Sequence, residues 1–191
     1  MLRVMLVDEN LERSAPLQQY LVEAGYNVVG QLSDTADLNK AVAQMQPDVI
    51  IIDTESPSRD TLEHICVVSR DDPRAIVMFA HDGETEKIRA ATRAGVSAYV
   101  VGGLDNSRLK PIMDAAMVRF EEYQALRNEL ETTAIKLAER KTIDRAKGIL
   151  MKQRGLDEDA AYQSLRKLAM QRGVRMGEIA NQVIQAAELL A

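Results

Sequence analysis

The chain has 191 residues, of which 46% are hydrophobic and 28% charged, with a net charge of −5. That composition supports one large or two small folded domains and excludes a disordered chain. One cysteine (Cys66) and two histidines (His64, His81) exclude a disulfide framework, a Cys/His zinc cluster and a Cys/His catalytic pair within one chain. Apolar neighbours predict a core position for Cys66. With no long apolar run and no signal-peptide start, we expect a cytoplasmic protein.

Charge is distributed unevenly along the chain. Residues 134–191 carry 11 Lys and Arg against 7 Asp and Glu, a net +4; subtracting this from −5 leaves −9 for residues 1–133. Any contact with a polyanion is therefore expected in the C-terminal part.

Short β-branched runs alternate with helix-length amphipathic segments in the N-terminal half. The helices between them end at glycines such as Gly25 and Gly95. The predicted strands span 3–7, 27–32, 49–52, 75–79 and 98–101. Five such βα units predict a doubly wound, five-stranded parallel sheet covered by helices on both faces.

Carboxylates follow two of these strands. Asp8 and Glu9 come after the first strand, and Asp53 comes after the third. Parallel strands gather their carboxyl ends at one sheet edge, where three carboxylates repel one another unless a cation such as Mg²⁺ neutralises them. Helix capping and solubility are the alternative explanation.

The stretches LVDE and IIIDTESP resemble the receiver domain of bacterial response regulators. The resemblance implies a possible Mg²⁺ site formed by Asp8, Glu9, Asp53 and the backbone carbonyl of Glu55. It also implies that Asp53 is the candidate phosphoacceptor and Tyr99 the aromatic switch residue.

Two positions depart from the receiver pattern. The family's Thr or Ser after the fourth strand falls on Ala80, and its Lys after the fifth falls on Gly102. A phosphate on Asp53 therefore lacks a hydroxyl and an ammonium partner. We expect a pocket that binds a cation but responds poorly to phosphorylation.

A long helix is predicted from Ser107 to beyond residue 140. Apolar residues recur every seven positions along it, which predicts a dimeric coiled coil. An apolar stripe that folds back on the N-terminal sheet is the alternative. The predicted dimer seam consists of Met113, Ala116, Phe120, Tyr123, Leu130 and Leu137.

Residues 139–154, ERKTIDRAKGILMKQR, place six basic residues on one helix beside an apolar strip. Gly148 lies within this helix, where glycine costs about 1 kcal/mol relative to alanine. Close packing by a neighbouring helix and close approach of a ligand both explain it. The basic run itself is typical of a solvated face as well as of a binding surface.

Two further helices are predicted after Gly155. Asp157 caps the first, which ends before Gly173, and the second spans about 176–190. With the end of the basic helix they form a small three-helix unit. Their predicted core residues are Ala161, Leu165, Leu168, Ala169, Ile179, Val183, Ala187 and Leu190.

The stretches ERKTIDRAKGILM, EDAAYQSLRKLAM and EIANQVI are similar to the ANTAR output module of bacterial antiterminators. IIIDTESPSRD, VSRDDPRAIVMF and GVSAYVV resemble the antiterminators of nitrate and nitrite assimilation. The resemblance implies binding of leader mRNA with tandem hairpins, prevention of termination, and control by a sequestering nitrate or nitrite sensor protein. We expect a patch around Lys147 to contact RNA phosphates and Tyr162 to stack on a base or to belong to the core. The predicted RNA-binding residues are Arg140, Lys141, Arg145, Lys147, Gly148, Lys152, Arg166 and Lys167.

The predicted organisation is α/β followed by all-α: a receiver-like core at 1–106, a coiled-coil helix at 107–138 and an ANTAR unit at 134–191. No catalytic activity, required cofactor or membrane contact is expected. The main alternative is a phosphorylation-controlled response regulator that binds DNA, but residues 174–191 offer only Arg175 as a basic residue for a recognition helix. A phosphohydrolase that uses Asp53 as its nucleophile is disfavoured, because the sequence offers no apparent second acid/base group. An adaptor without nucleic-acid contact is the remaining alternative.

Overall fold

The structure is a computed structural model that describes residues 1–8, 11–35, 37–102 and 106–189, without the side chains of 11–14 and 106. Glu9 and Leu190 lie outside the described residues. Residue contacts divide the chain into an N-terminal unit, Met1–Gln124, and a C-terminal unit, Ala125–Ala191.

All five predicted strands are confirmed, and three of them extend one or two residues further. The strands are β1 (Arg3–Asp8), β2 (Asn27–Leu32), β3 (Val49–Thr54), β4 (Ala75–Ala80) and β5 (Ala98–Val101). The helices are α1 (Leu11–Glu23), α2 (Leu38–Met45), α3 (Arg59–Asp71), α4 (Thr85–Ala94), α5 (Asn106–Arg154), α6 (Glu158–Arg172) and α7 (Met176–Leu189).

The strands form one parallel sheet in the order β2-β1-β3-β4-β5. Alternate residues of the strands face opposite sides, and both sides are buried. One face packs against α2, α3 and α4, and the other against α1 and the start of α5. The doubly wound architecture is therefore confirmed. It brings the carboxyl ends of β1, β3 and β4 to a common edge.

The beginning of α5 belongs to the core of the N-terminal unit. Met113 and Ala116 are 0% and 1% exposed and pack with Phe79 against the sheet, and Phe120 is half-buried in the same cluster. The assignment of Met113 and Ala116 to a dimer seam is therefore wrong. The seven-residue steps from Leu109 to Ala116 and from Met113 to Phe120 reflect the face that α5 turns toward its own sheet.

Cys66 lies on the exposed side of α3, so the prediction of a core position is wrong. Ile65 and Val68 bring the buried face of α3 onto the sheet. Because successive residues on a helix are rotated by about 100°, the position after Ile65 turns away from that face.

The three-helix C-terminal unit has its own small core. Ala146 and Leu150 of α5 pack against Ala161 and Leu165 of α6 and against Ile179 of α7. Asp157 caps α6 as predicted, because its carboxylate accepts a hydrogen bond from the Ala160 amide at 2.7 Å. Ala180 and Ile184 are also buried, although the sequence pattern did not single them out.

None of the helices in the described ranges is long and apolar enough to cross a membrane.

Candidate functional site

Two acidic side chains lie side by side at the carboxyl edge of the sheet. Asp8 ends β1, and Asp53 is its partner in the register of β3. Asp8 is 2% exposed, whereas Asp53 is half-buried. The parallel β1–β3 pairing therefore brings together two of the carboxylates that the sequence placed at this edge.

The remaining predicted Mg²⁺ ligands do not complete a site in the described part of the pocket. Glu9 lies outside the described residues. The backbone carbonyl of Glu55 accepts hydrogen bonds from the amides of His81 and Asp82, at 3.0 and 3.1 Å. A carbonyl oxygen has two lone pairs, so both are engaged. No cluster of three or more His, Cys, Asp or Glu side chains suited to a metal forms among the described residues. The Mg²⁺ site formed by Asp8, Glu9, Asp53 and the Glu55 carbonyl therefore stays a prediction, because it depends on Glu9.

Asp82 is the centre of a hydrogen-bond network that the sequence did not predict. Its carboxylate accepts from the Ser56 hydroxyl at 2.9 Å and from the Glu84 amide at 2.9 Å. The Glu84 amide and then the Ser56 hydroxyl lower the pKa of Asp82. The loop after β3 is thereby tied to the loop after β4 at the sheet edge.

Tyr99, the predicted switch residue, is part of the same network. Its hydroxyl donates a hydrogen bond to the backbone carbonyl of Asp82 at 2.7 Å, and its half-buried ring packs against the core. Burial and then the Asp82 charge raise the pKa of Tyr99. Ala80 is buried at the end of β4, and its carbonyl accepts from the amide of Gly102 at 3.0 Å. Neither Ala80 nor Gly102 supplies a phosphate ligand from its side chain.

In the C-terminal unit, the basic residues of α5 divide between two faces. Lys141, Arg145, Gly148 and Lys152 follow one another at spacings of four, three and four residues, which places them on one helix face. We call this set the cationic face. Arg140, Lys147 and Arg154 recur every seven residues along a second face.

Lys147 is committed to two carboxylates. Its ammonium lies 2.7 Å from Asp144 on the same helix and 2.8 Å from Glu158 on α6, and its side chain is only 14% exposed. Hydrogen bonds to Asp144 and then Glu158 raise the pKa of Lys147, and Lys147 in turn lowers the pKa of Asp144. The (i, i+3) pair could have been read from the sequence, whereas the contact with Glu158 requires the tertiary fold. Lys147 connects α5 to α6.

The cationic face is open. Lys141 and Lys152 are exposed, and within the described ranges no hydrogen bond or ion pair holds either side chain. Arg145 pairs with Glu188 at 2.8 Å, but both side chains are at least 60% exposed, so the pair is weak. A methyl group added to Gly148 would meet no atom within 4 Å. Packing by a neighbouring helix therefore does not explain this glycine.

A groove of about 330 Å³ lies beside the second basic face. Tyr162 forms one wall and is 38% exposed. Arg166 and Lys167 on α6 are exposed to solvent but do not line the groove. The groove is lined by Lys136, Glu139, Arg140, Ile143, Asp144, Lys147, Tyr162 and Met176.

The sequence matches two protein families in succession. Residues 4–114 match the response regulator receiver domain, and residues 126–184 match the ANTAR domain. The chain is 29% identical over 183 residues to the transcriptional regulatory protein PdtaR of Mycobacterium tuberculosis (strain CDC 1551 / Oshkosh), covering 96% of this chain and 89% of that protein. Over 80 residues it is 36% identical to the nitrate regulatory protein of Klebsiella oxytoca, covering 42% of this chain and 20% of that protein.

Solved structures resemble the N-terminal unit. A CheY-like receiver domain protein from Methanospirillum hungatei JF-1 superposes with a TM-score of 0.56 at 16% identity, covering 64% of this chain and 98% of that one. The response regulator domain of Thermotoga maritima CheB gives a TM-score of 0.53 at 19% identity, covering 63% and 97%. At these identities the likeness shows the fold alone.

Proposed function

The chain belongs to the response regulator receiver family and carries an ANTAR domain in its C-terminal part, and we propose that it is an RNA-binding transcription antiterminator. Similarity to relatives named as a transcriptional regulatory protein and a nitrate regulatory protein supports a regulatory role. The observation that carries the proposal is the cationic face. It presents Lys141, Arg145 and Lys152 to solvent in a chain whose net charge is −5.

The phosphates of an RNA hairpin are the ligand that suits this face. Positive side chains that neutralise phosphates release bound counterions and so supply salt-dependent affinity. Lys141 and Lys152 have no competing carboxylate in the described structure, and the exposed Glu188 is readily displaced from Arg145. Arg140, Arg166 and Lys167 are further exposed cations that we propose contact RNA, while Lys147 joins α5 to α6 through Glu158.

Gly148 indicates how closely the ligand approaches. An exposed glycine within a helix costs about 1 kcal/mol relative to alanine, and nothing inside the C-terminal unit occupies the space beside it. A phosphate backbone lying against α5 uses that space, because the absent side chain lets it reach the neighbouring cations. Gly148 is thus the position on the cationic face where the RNA backbone approaches the helix most closely.

We propose that the protein acts as a homodimer that presents two C-terminal units to two adjacent hairpins. Leu126, Leu130 and Leu137 of α5 are all more than half exposed and lie at spacings of four and seven residues. Tyr123 is similarly exposed one heptad before Leu130. A second copy of the chain is the partner that buries such a stripe, and two linked units raise avidity for tandem hairpins.

Sedimentation tests the dimer directly. We expect the wild-type chain to sediment as a dimer at micromolar concentration and a Leu130→Glu, Leu137→Glu variant to sediment as a monomer. The exposed Val22 on α1 supplies the control, since Val22→Glu adds a charge to a different helix. A wild-type monomer would refute the dimer.

Control by a sequestering sensor protein, with nitrate or nitrite as its ligand, is the input we propose. The N-terminal unit lacks side-chain phosphate ligands at Ala80 and Gly102, and Asp82 already holds the loops that surround Asp53's edge of the sheet. A protein that covers the RNA-binding surface gives regulation without a phosphate. Capture of such a sensor from cell extract, released by its ligand, tests this input.

A DNA-binding response regulator is the second candidate. It draws support from the receiver family alone, since α7 carries no basic residue over Met176–Leu189. Electrophoretic competition decides between them. We expect unlabelled tandem-hairpin RNA to displace labelled RNA at far lower concentration than duplex DNA of equal length. Equal competition by the DNA would contradict the proposed function.

A further inference from the structure

The groove of the C-terminal unit has the size of a site for a single small group. Its volume of about 330 Å³ is at the lower end of ligand pockets, which span roughly 300–1,000 Å³. Such a groove accommodates one nucleoside-sized group. An entire peptide helix requires a longer apolar surface.

The walls of the groove combine flat apolar and aromatic surface. Ile143 and Met176 are half-buried members of the core cluster and contribute apolar wall. Tyr162 leaves 38% of its surface exposed at the same place. Aromatic side chains of this kind stack on the unpaired bases of RNA loops, and every base offers a flat π-face.

Charged groups surround this apolar surface. Five of the eight lining residues are charged, which disfavours an apolar peptide as the occupant. Arg140 and Lys136 are exposed cations that suit the phosphates on either side of a base. Asp144 and Glu139 are carboxylates, which accept hydrogen bonds from a base amino group.

Lys147 keeps Asp144 ionised and in place. Its ammonium binds Asp144 Oδ1 at 2.7 Å, and Lys147 is itself held by Glu158. An ionised carboxylate accepts hydrogen bonds at both oxygens and donates none, so Asp144 selects ligands that carry donors. Adenine, cytosine and guanine offer an exocyclic amino group, whereas the Watson–Crick donor of uracil, N3–H, is flanked by two carbonyl oxygens that a carboxylate repels.

We propose that this groove binds one unstacked, amino-bearing nucleobase of the RNA loop, stacked on Tyr162 and hydrogen-bonded to a groove carboxylate. The inference rests on the proposed RNA-binding function and assigns it a second contact. Phosphates bind the cationic face without regard to sequence, and the groove reads a base. Tyr162 is then a specificity residue.

The test uses the full chain and a library of RNA hairpins with one fixed stem and a randomised loop. We expect the selected RNAs to be enriched in amino-bearing bases over uracil at one loop position. Replacing the base at that position by an abasic site should weaken binding about tenfold, the size of one base–aromatic stacking contact. Tyr162→Ala should cause a similar loss with intact RNA and no additional loss with the abasic RNA, while Tyr162→Phe should bind as the wild type does.

A fluorescence experiment keeps the test independent of folding effects in Tyr162→Ala. The chain contains no tryptophan, so Tyr162→Trp places a single reporter at the groove. We expect the selected hairpin to quench its fluorescence and the abasic hairpin to leave it unchanged.

The outcomes separate the two hypotheses. Failure of the wild-type chain to bind any hairpin overturns the proposed function and the base site together. Salt-sensitive binding that is equal for selected and abasic RNA, or equal fluorescence changes with both, overturns the base site alone.

Discussion

The sheet edge of the N-terminal unit and the cationic face of the C-terminal unit are both rich in charge, but they use it differently. At the sheet edge, Asp82 accepts hydrogen bonds from Ser56 and Glu84, and the Glu55 carbonyl is engaged twice. On α5, Lys141 and Lys152 extend into solvent. The first region uses its polar groups to hold its own loops, and the second keeps them available for a ligand.

A family motif in the sequence does not by itself show which side chains are available to bind a ligand. The N-terminal unit retains the acidic pair Asp8 and Asp53 of a receiver. The positions whose side chains would bind a phosphate are occupied by Ala80 and Gly102, which have no polar side chain. In the C-terminal unit, basic residues on one helix divide into Lys147, which supports the fold, and the cations beside Gly148, which remain open.

Removing the charge of the cationic face should produce the largest effect. In Lys141→Ala, Arg145→Ala, Lys152→Ala, we expect RNA affinity at low salt to fall roughly 100-fold and the slope of log K against log salt to decrease by about one per lost phosphate contact. Fluorescence anisotropy over a salt series measures both. Lys40→Ala, an exposed cation of the other unit, should change neither, and an unaltered slope in the triple variant would show that these cations do not contact phosphate.

Lys147→Ala should affect stability more than binding. Its loss leaves Asp144 and Glu158 without their shared cation and removes the ion pair that joins α5 to α6 beside their apolar core, so we expect a lower thermal unfolding midpoint of the C-terminal unit. Lys141→Ala, from the same helix, should show the reverse pattern of unchanged stability and weaker RNA binding. Circular dichroism and anisotropy on both variants check this crossed pattern, which would fail if Lys147→Ala melted like the wild type.

Asp82→Ala should reduce the stability of the N-terminal unit by a smaller amount, because Ser56 and the Glu84 amide lose their acceptor. The pKa of Asp82 is lowered in the folded state, so its contribution is complete above the ordinary pKa of 3.8 and is lost as the pH falls below that value. Unfolding midpoints measured from neutral to acidic pH should therefore converge for the two proteins. Asp114→Ala, which removes an exposed helix ion pair, is the control. A constant difference at every pH would contradict the role given to the carboxylate.

Asp53→Asn should have the smallest effect on output. Without phosphate ligands at Ala80 and Gly102, phosphorylation gains little stabilisation, and we expect antitermination in a reporter strain to be unchanged. Complete loss of antitermination by a folded Asp53→Asn protein would show that phosphate is the input after all.

The fold was predicted well because the spacing of apolar residues and the capping residues at helix ends follow directly from the geometry of strands and helices. Alternating βα segments gave the five strands, and Asp157 and Gly173 marked the limits of α6. Periodicity alone did not identify the partner of an apolar face, so Met113 and Ala116 were assigned to a dimer although they pack on the sheet. The predicted core position of Cys66 was wrong because the rotation of about 100° between successive helix residues turns it away from the buried Ile65.

The candidate site was only partly predictable for a similar reason. The sequence identified the basic helix and its unusual glycine, but it placed Lys147 at the centre of the patch expected to contact RNA phosphates. The contact between Lys147 and Glu158 joins two helices and depends on the tertiary packing. The Asp82 network likewise joins residues from separate loops, and no local spacing indicates it.

Gly148→Ala tests the central claim most directly, because stability and binding should change in opposite directions. An added methyl group meets no side chain or neighbouring helix within 4 Å, so the free energy of unfolding should rise by up to about 1 kcal/mol. The same methyl group occupies the place of the RNA backbone and should cost one charge-assisted hydrogen bond, a loss of roughly tenfold or more in affinity for tandem hairpins. A more stable variant that binds RNA more weakly is the predicted result, and a more stable variant with full RNA affinity would contradict the account.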